Sequence, residues 1–292
     1  MIFQEIPPCP TLQTLVRAYL LLHLDYGQAP IPAKPYPSRL EHSLNFFARG
    51  YVESHRPLSD TTSRIARNAL FGQQVSRLNF QPVAEGDFLM LQVHFQPGAL
   101  YRLLGIPSYE LTDTCEDAEL FLGSELRSVN EQIAHAKSYG EMIARVEAYL
   151  LVKSRQLQTA SHPIDRIAQL LLTQPRTLSL DWLADQSNLS PRQFERKFSQ
   201  RMGVGPKLFS RISRFFHTFS SKEAHPELDW LTVALHFGYT DYNHLAKDFR
   251  QFANVSPTVL MREYADFQQL AKVSPTVLMQ EYVQHPEIIV NL

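Results

Sequence analysis

The C-terminal half of the chain carries one pattern twice, and a repeat constrains folding more than composition does, because both copies must satisfy the same local geometry. In the first copy, residues 190–200 read SPRQFERKFSQ. A capping serine at 190, proline at the first helical position and Gln193 as capping-box partner predict a helix start. Phe194 and Phe198 lie four apart and share one face, which Met202 continues. At about 100° per residue, Arg192, Arg196, Ser199 and Gln200 fall on the opposite face, with Gln193 and Glu195 at its margins. Upstream, Ser179 to Asn188 reads as a shorter amphipathic helix. Ser179 is its cap, and Leu180, Leu183 and Ala184 form one side. Ala184 is small enough for another helix to cross closely, and Asn188 tolerates the left-handed conformation of a terminating residue. A helix, a tight turn and a second helix with a basic outer face make a helix-turn-helix.

The second copy runs from Asp229 to Phe252. Ala234 stands for Ala184 and Gly238 for Asn188; Leu245, Phe249 and Lys247 stand for Phe194, Phe198 and Arg196. From the recognition helix into the exit turn the offset is 51, matching Gly203–Pro206 with Asn254–Pro257. Before that helix it is 50, so the second turn is one residue longer. Between the units, Lys207 to Phe219 predicts a connecting helix with Phe209, Ile212, Phe215 and Phe216 as its buried stripe. Such a rigid spacer sets two recognition helices about one duplex turn apart.

These positions suit double-stranded DNA. Arg192 and Arg196 can each read guanine O6 and N7, and Glu195 can accept from cytosine N4. In the second unit Asn243, His244 and Lys247 face out, Asn243 being suited to adenine. Residues 190–214 hold Arg192, Arg196, Lys197, Arg201, Lys207, Arg211 and Arg214 against Glu195 alone, a net +6. Residues 241–254 are neutral, with Lys247 and Arg250 against Asp241 and Asp248. Lys197, Arg201, Lys207, Arg211, Arg214 and Arg250 are therefore the expected phosphate contacts. The first unit should supply most sequence-independent affinity and the second further discrimination.

Residues 160–264 resemble the DNA-binding domain of AraC/XylS-type bacterial transcription regulators. LSPRQFERKF, GVGPKLFSRISRF and FGYTDYNHLAKDFRQFANVSPTVL carry the resemblance. Asn254 departs from a usual glycine, although asparagine also adopts a positive φ. The resemblance implies base contacts at Arg192, Glu195 and Arg196, and at Tyr242, Asn243 and Lys247; the helical wheel turns Tyr242 toward the core. It also implies RNA polymerase as a partner if the protein activates.

The N-terminal half has a different texture. Leu15–Leu24, Leu44–Ala48, Ala69–Gly72 and Phe88–Phe95 are short apolar pieces separated by Gly, Pro, Ser and Asp, predicting β-strands in a compact barrel or sandwich. The proline-rich run 29–37 predicts a loop. His94, alone in its strand, reads as a hydrogen-bonded structural group. Helices are expected at 98–105, 117–136 and 138–155. The stretch 95–113, FQPGALYRLLGIPSYELTD, resembles the N-terminal module of one branch of the same regulators. The expected fold is thus α+β: a barrel-like β-rich effector and dimerisation domain at 1–155 with helices on its C-terminal side, a linker at 156–162, and an all-α DNA-binding domain at 163–264. A barrel mouth suits a small-molecule effector, its residues unassigned, and the helical pair after it suits a homodimer surface.

The chain has 292 residues, 44% hydrophobic and 20% charged, with a formal net charge of −1, which excludes a generic polyanion binder. Cys9 and Cys115 have no partner spacing, so neither a disulfide framework, a metal site nor a cofactor is expected. No transmembrane span or secretory signal is read, and a cytoplasmic location is the default. An enzyme is not expected, since no phosphate loop, metal spacing or nucleophile constellation occurs. An interaction module with degenerate helix-turn-helix units is the competing class, opposed by the intact outward arginines.

The tail, 265–292, contains a tandem copy. Residues 247–264, KDFRQFANVSPTVLMREY, recur as ADFQQLAKVSPTVLMQEY at 265–282. Three of the five differences remove positive charge: Lys247 against Ala265, Arg250 against Gln268 and Arg262 against Gln280. The first copy is expected to complete the DNA-binding domain. The second is expected to be an appendage outside the groove, its apolar side (Phe267, Leu270, Val277, Leu278) free to pack on the domain or a partner subunit.

Overall fold

The computed structural model of the protein describes residues 2–25, 32–174 and 178–271. Ten strands form its N-terminal part: β1 (Ile2–Ile6), β2 (Val16–Asp25), β3 (Lys34–Tyr36), β4 (Ser43–Arg49), β5 (Tyr51–Arg56), β6 (Thr61–Arg64), β7 (Asn68–Phe71), β8 (Leu78–Val83), β9 (Asp87–Phe95) and β10 (Cys115–Asp117). They make a six-stranded sheet ordered β1-β2-β9-β4-β7-β10 and a four-stranded sheet ordered β3-β8-β5-β6. All paired strands are antiparallel. The sheets face each other as a sandwich and do not close into one barrel; Phe71 and Phe80 meet across the gap with ring centroids 5.6 Å apart.

Burial on both faces explains why the central strands read as nearly unbroken apolar runs. Tyr19 and Leu21 of β2 and Leu89, Leu91 and Val93 of β9 point into a core shared with helices. Their neighbours Leu20, Leu22, Phe88 and Met90 line a cavity of about 100 Å³ between the sheets. The helices behind the large sheet are α1 (Ala99–Leu104), α2 (Glu119–Leu122), α3 (Glu125–Ala134) and α4 (Tyr139–Ser154). The single helix expected at 117–136 is therefore broken: Asp117 ends a strand, and Gly123, at φ 101°, separates α2 from α3. Part of the run expected as a loop at 29–37 is strand β3. Pro35 is admissible there because β3 is an edge strand. The rest of that run up to residue 31 lies outside the described residues. His94 is buried, its Nδ1 2.7 Å from Arg17 Nη2.

The C-terminal part is helical: α5 (Pro163–Thr173), α6 (Leu180–Asp185), α7 (Pro191–Met202), α8 (Pro206–Ala224), α9 (Trp230–His236), α10 (Tyr242–Ala253) and α11 (Pro257–Ala271). Its core is a chain of edge-to-face ring contacts, including Phe198 with Phe209 at 5.3 Å, Phe215 with Phe249 at 4.8 Å and Phe219 with Tyr264 at 4.7 Å. This core is continuous with residues facing the gap between the sheets. Among the described residues no helix is long and apolar enough to cross a membrane.

The boundary expected after Tyr264 falls inside α11, so the start of the second tandem copy is no appendage. In the first copy the sequence DFRQFA ends α10, and Asn254 then turns the chain at φ 59°. In the second copy DFQQLA follows Tyr264 directly, with no turn between them, and prolongs α11. Residues 272–292, including Val277, Leu278 and Gln280, lie outside the described residues.

The prolonged helix meets Glu223 at the end of α8, to which Gln268 donates a hydrogen bond. Burial pushes the Glu223 carboxyl up to about 7, against smaller downward effects of Gln268, Lys34 and Arg39. The folded state therefore holds a proton that the unfolded state releases nearer 4.5, so this group's contribution falls as pH rises from about 4.5 to about 7. Glu223→Gln should be more stable than the parent above that window and should flatten the difference across it, as read from urea midpoints over a pH series.

Candidate nucleic-acid interface

Both units are built to the same local rules. Ser179 accepts a hydrogen bond from Trp182 N–H to cap α6, and Ser190 and Gln193 close a reciprocal capping box on α7. Asp229 and Asp241 cap α9 and α10 in the second unit. The Thr232 hydroxyl, with backbone N–H donors after it, holds the Asp229 carboxyl below the ordinary aspartate range, and the His244 backbone N–H does the same for Asp241. In the two tight turns Leu189 N–H donates to Ala184 O at 3.1 Å, and Tyr239 N–H to Ala234 O at 2.9 Å. Asn188 and Gly238 take φ 53° and 73°, and at the exit turns Gly203 and Asn254 take 86° and 59°. The extra residue of the second turn is Thr240, placed between Tyr239 and the cap Asp241.

The helix α7 buries Phe194, Phe198 and Met202 and leaves Arg192, Glu195 and Arg196 exposed, with Lys197 half-buried. The helix α10 buries Leu245 and Phe249 and exposes Asn243, Lys247 and Arg250. Tyr242, expected toward the core, is 37% exposed: it begins α10, before the helix settles onto α8. His244 is half-buried and accepts from Arg214 at 3.4 Å. Between the two units lies a crevice of about 650 Å³. It gathers Glu195 and Lys207 from the first unit, Arg211 and Arg214 from the middle of α8, and His244 and Lys247 from the second.

Three expected phosphate contacts are ion-paired within the protein. Arg201 is 6% exposed and grips Asp165 of α5 through Nε and Nη2, both at 2.6 Å. A guanidinium committed in this bidentate way is not offered to a backbone phosphate, and the expectation for Arg201 is withdrawn. Arg211 and Arg214 converge on Asp248 at 2.6 and 3.1 Å, where Tyr239 adds its hydroxyl at 3.1 Å. Asp248 is 1% exposed, so it neutralises charge that the sequence count assigned to an outer face. Burial next to this carboxylate drives the Tyr239 hydroxyl far above the ordinary tyrosine range. Arg192, Arg196, Lys197, Lys207, Lys247 and Arg250 remain as outward cations. Asp248 had a signal in the sequence: it lies on the buried face with Leu245 and Phe252, where a carboxylate requires cationic partners.

The N-terminal part holds the carboxyl ends of both α7 and α10. Ser108 donates its hydroxyl to Arg201 O at 3.0 Å, and Thr112 to Gly203 O at 2.9 Å. Ser38 donates its backbone N–H to Phe252 O at 2.9 Å and its hydroxyl to the same oxygen at 3.2 Å. Arg77 donates to Ala253 O at 3.1 Å and pairs with Glu263 at 2.8 Å. The last carbonyls of a helix lack intrahelical donors, and here the N-terminal part supplies them in each unit, from the turn at Ser108–Thr112 for α7 and from Ser38 and Arg77 for α10. No periodicity in the sequence marks Ser38, Arg77, Ser108 or Thr112.

Residues 183–263 match the family model described as a helix-turn-helix domain, and residues 4–117 match a domain of unknown function, DUF6597. The matched C-terminal region is thus a helix-turn-helix domain. No curated protein matches the chain. Crystal structures of ToxT from Vibrio cholerae are similar over most of its length. An apo ToxT variant from strain SCE256 is 14% identical, covering 84% of this chain and 97% of its own, with a TM-score of 0.46. ToxT from strain O395 is 11% identical over 84% of this chain and 98% of its own, also at 0.46. An unsaturated fatty acid bound form from strain SCE256 is 11% identical over 83% and 94%, at 0.45.

Arg201→Ala should therefore act on stability. Leaving Asp165 buried without its partner costs about 3–5 kcal/mol, measurable as a lower urea midpoint. The slope of log K against log salt for DNA binding should be unchanged, since no phosphate contact is lost.

Proposed function

We propose that the protein is a sequence-specific DNA-binding transcriptional regulator. It lays α7 and α10 into successive major-groove segments on one face of a duplex, under control of its N-terminal domain. The observation that carries this reading is the shared crevice along α8, to which α7 brings Glu195 and α10 brings His244 and Lys247. Arg192, Glu195 and Arg196 read bases in the first segment, and Tyr242, Asn243, His244 and Lys247 in the second. Lys197, Lys207 and Arg250 contact phosphates. Arg211 and Arg214 set the angle of α10 on α8 through Asp248 and contribute less to phosphate binding than their charge suggests. The control arises because the sandwich holds both exit turns, so a change in its packing tilts the recognition helices. Its ligand site is the cavity between the two sheets. The protein performs no catalysis in this role.

Selection of bound duplexes from a random pool tests the reading directly. A preferred sequence with two half-sites about one turn apart is the expected result; retention of all sequences alike refutes it. On the selected duplex, Arg196→Ala should cost about 1–3 kcal/mol and relax preference at one base position. Lys207→Ala should weaken specific and random DNA alike and flatten the salt slope by about 0.9.

A further inference from the structure

The cavity between the sheets has one wall that does not come from the sandwich. Phe47, Phe71, Phe80, Phe88 and Met90 line it from the two sheets, and Phe267 of α11 lines it from outside. Phe267 belongs to the second tandem copy, where it occupies the place that Phe249 holds in the first. Phe249 packs on Phe215 and Trp230 inside the second helix-turn-helix unit. Because the second copy continues α11 without a turn, its phenylalanine is carried past that core to the cavity, where it is 8% exposed. The hydrogen bond from Gln268 to Glu223 fastens the same helical turn to α8. The duplication has thus placed a DNA-binding-domain side chain in the wall of the N-terminal cavity.

We propose that the cavity is a binding site for a compact aromatic molecule and that Phe267 is its built-in competitor. Ligand entry displaces Phe267 and shifts the last helix of the DNA-binding domain. The size is right: an apolar protein cavity of ~150 Å³ takes up benzene, and about 100 Å³ stays open here beside the Phe267 ring. The chemistry is aromatic and aliphatic on nearly every side. Asn45 and Gln92, neighbours across β4 and β9, bring amide groups to it; their NH2 groups donate to Ser43 Oγ at 3.1 and 3.0 Å, so their carbonyl oxygens are the groups that suit a ligand with one hydrogen-bond donor. Displacement reaches the DNA-binding domain because α11 also carries Glu263, paired with Arg77, and Tyr264, packed edge-to-face on Phe219. A ligand that must expel Phe267 and a helix that must release it are coupled, and the coupling is reciprocal.

The test uses the full chain and fluorobenzene, followed by fluorine NMR. The parent should bind it weakly, Phe267→Ala at least tenfold more tightly, and Phe267→Trp, which fills the space, not detectably. Leu270→Ala, on the exposed side of the same copy, should bind like the parent. Absence of binding to both the parent and Phe267→Ala overturns the site. Equal affinity in the parent and Phe267→Trp overturns the competition, and this comparison stands even if Phe267→Ala fails to fold. The link to DNA rests on the regulator reading and is measured separately. Saturating fluorobenzene should change the parent's affinity for its selected duplex at least threefold and leave Phe267→Trp unchanged. Binding without that change refutes the coupling while the site stands; failure to select any duplex refutes the regulator reading alone.

Discussion

The aromatic stripe of α8 is the constraint on which the C-terminal half depends. Phe209 receives Phe198 of the first recognition helix, Phe215 receives Phe249 and Phe252 of the second, and Phe219 receives Tyr264 of α11. Every helix that would face DNA is located by its contact with this one element. Its 19 residues span about 28 Å at the standard rise, and α7 and α10 pack at different points along that length. Tilt is set by a second device on the same helix. Asp248, buried on α10, takes Arg211 and Arg214 from positions three residues apart along α8. A buried carboxylate with two guanidinium partners and a tyrosine hydroxyl tolerates little angular error, because any loss of contact leaves charge unpaired.

The sandwich is joined to this unit at points that matter mechanically. It donates hydrogen bonds to the last carbonyls of α7 and α10, and Arg39, itself fully buried, lies over Phe216 of α8 at 5.2 Å. Recognition helices are normally positioned by their own turns. Here their far ends are also tied to a second domain, and the ties are polar and directional. On the proposed reading, these ties are the route by which a rearrangement between the sheets reaches the helix ends.

Much of this was legible. The repeat, its caps and its four positive-φ positions follow from local rules: serine and aspartate accept from orphan N–H groups, and glycine or asparagine alone turns cheaply into the left-handed region. The phenylalanine spacing predicted the buried face of α7 and the stripe of α8. The strands were read only where burial on both sides made them continuously apolar. Thus β2, β4, β7 and β9 stood out, while β1, β5, β6 and β8 did not, because a polar outer face and short length give no distinct period. The charge count misjudged Arg201, Arg211 and Arg214, since a count along the chain does not see Asp165 across a domain or Asp248 across a helix pair.

By itself, the sequence determined the two helix-turn-helix units, their cores and the class of polymer they suit, because capping, turn and periodicity rules act over a few residues. Only the tertiary structure decided which cations stay free, how the sandwich grips both exit turns, and what became of the duplicated tail. The tail shows the reason most plainly. The same DF-x-Q-x-A pattern closes a recognition helix when its start is anchored by Asp241, and extends α11 to a cavity wall when it follows Tyr264. Its local propensity is one and the same; what differs is the surface each copy finds to bury its phenylalanine.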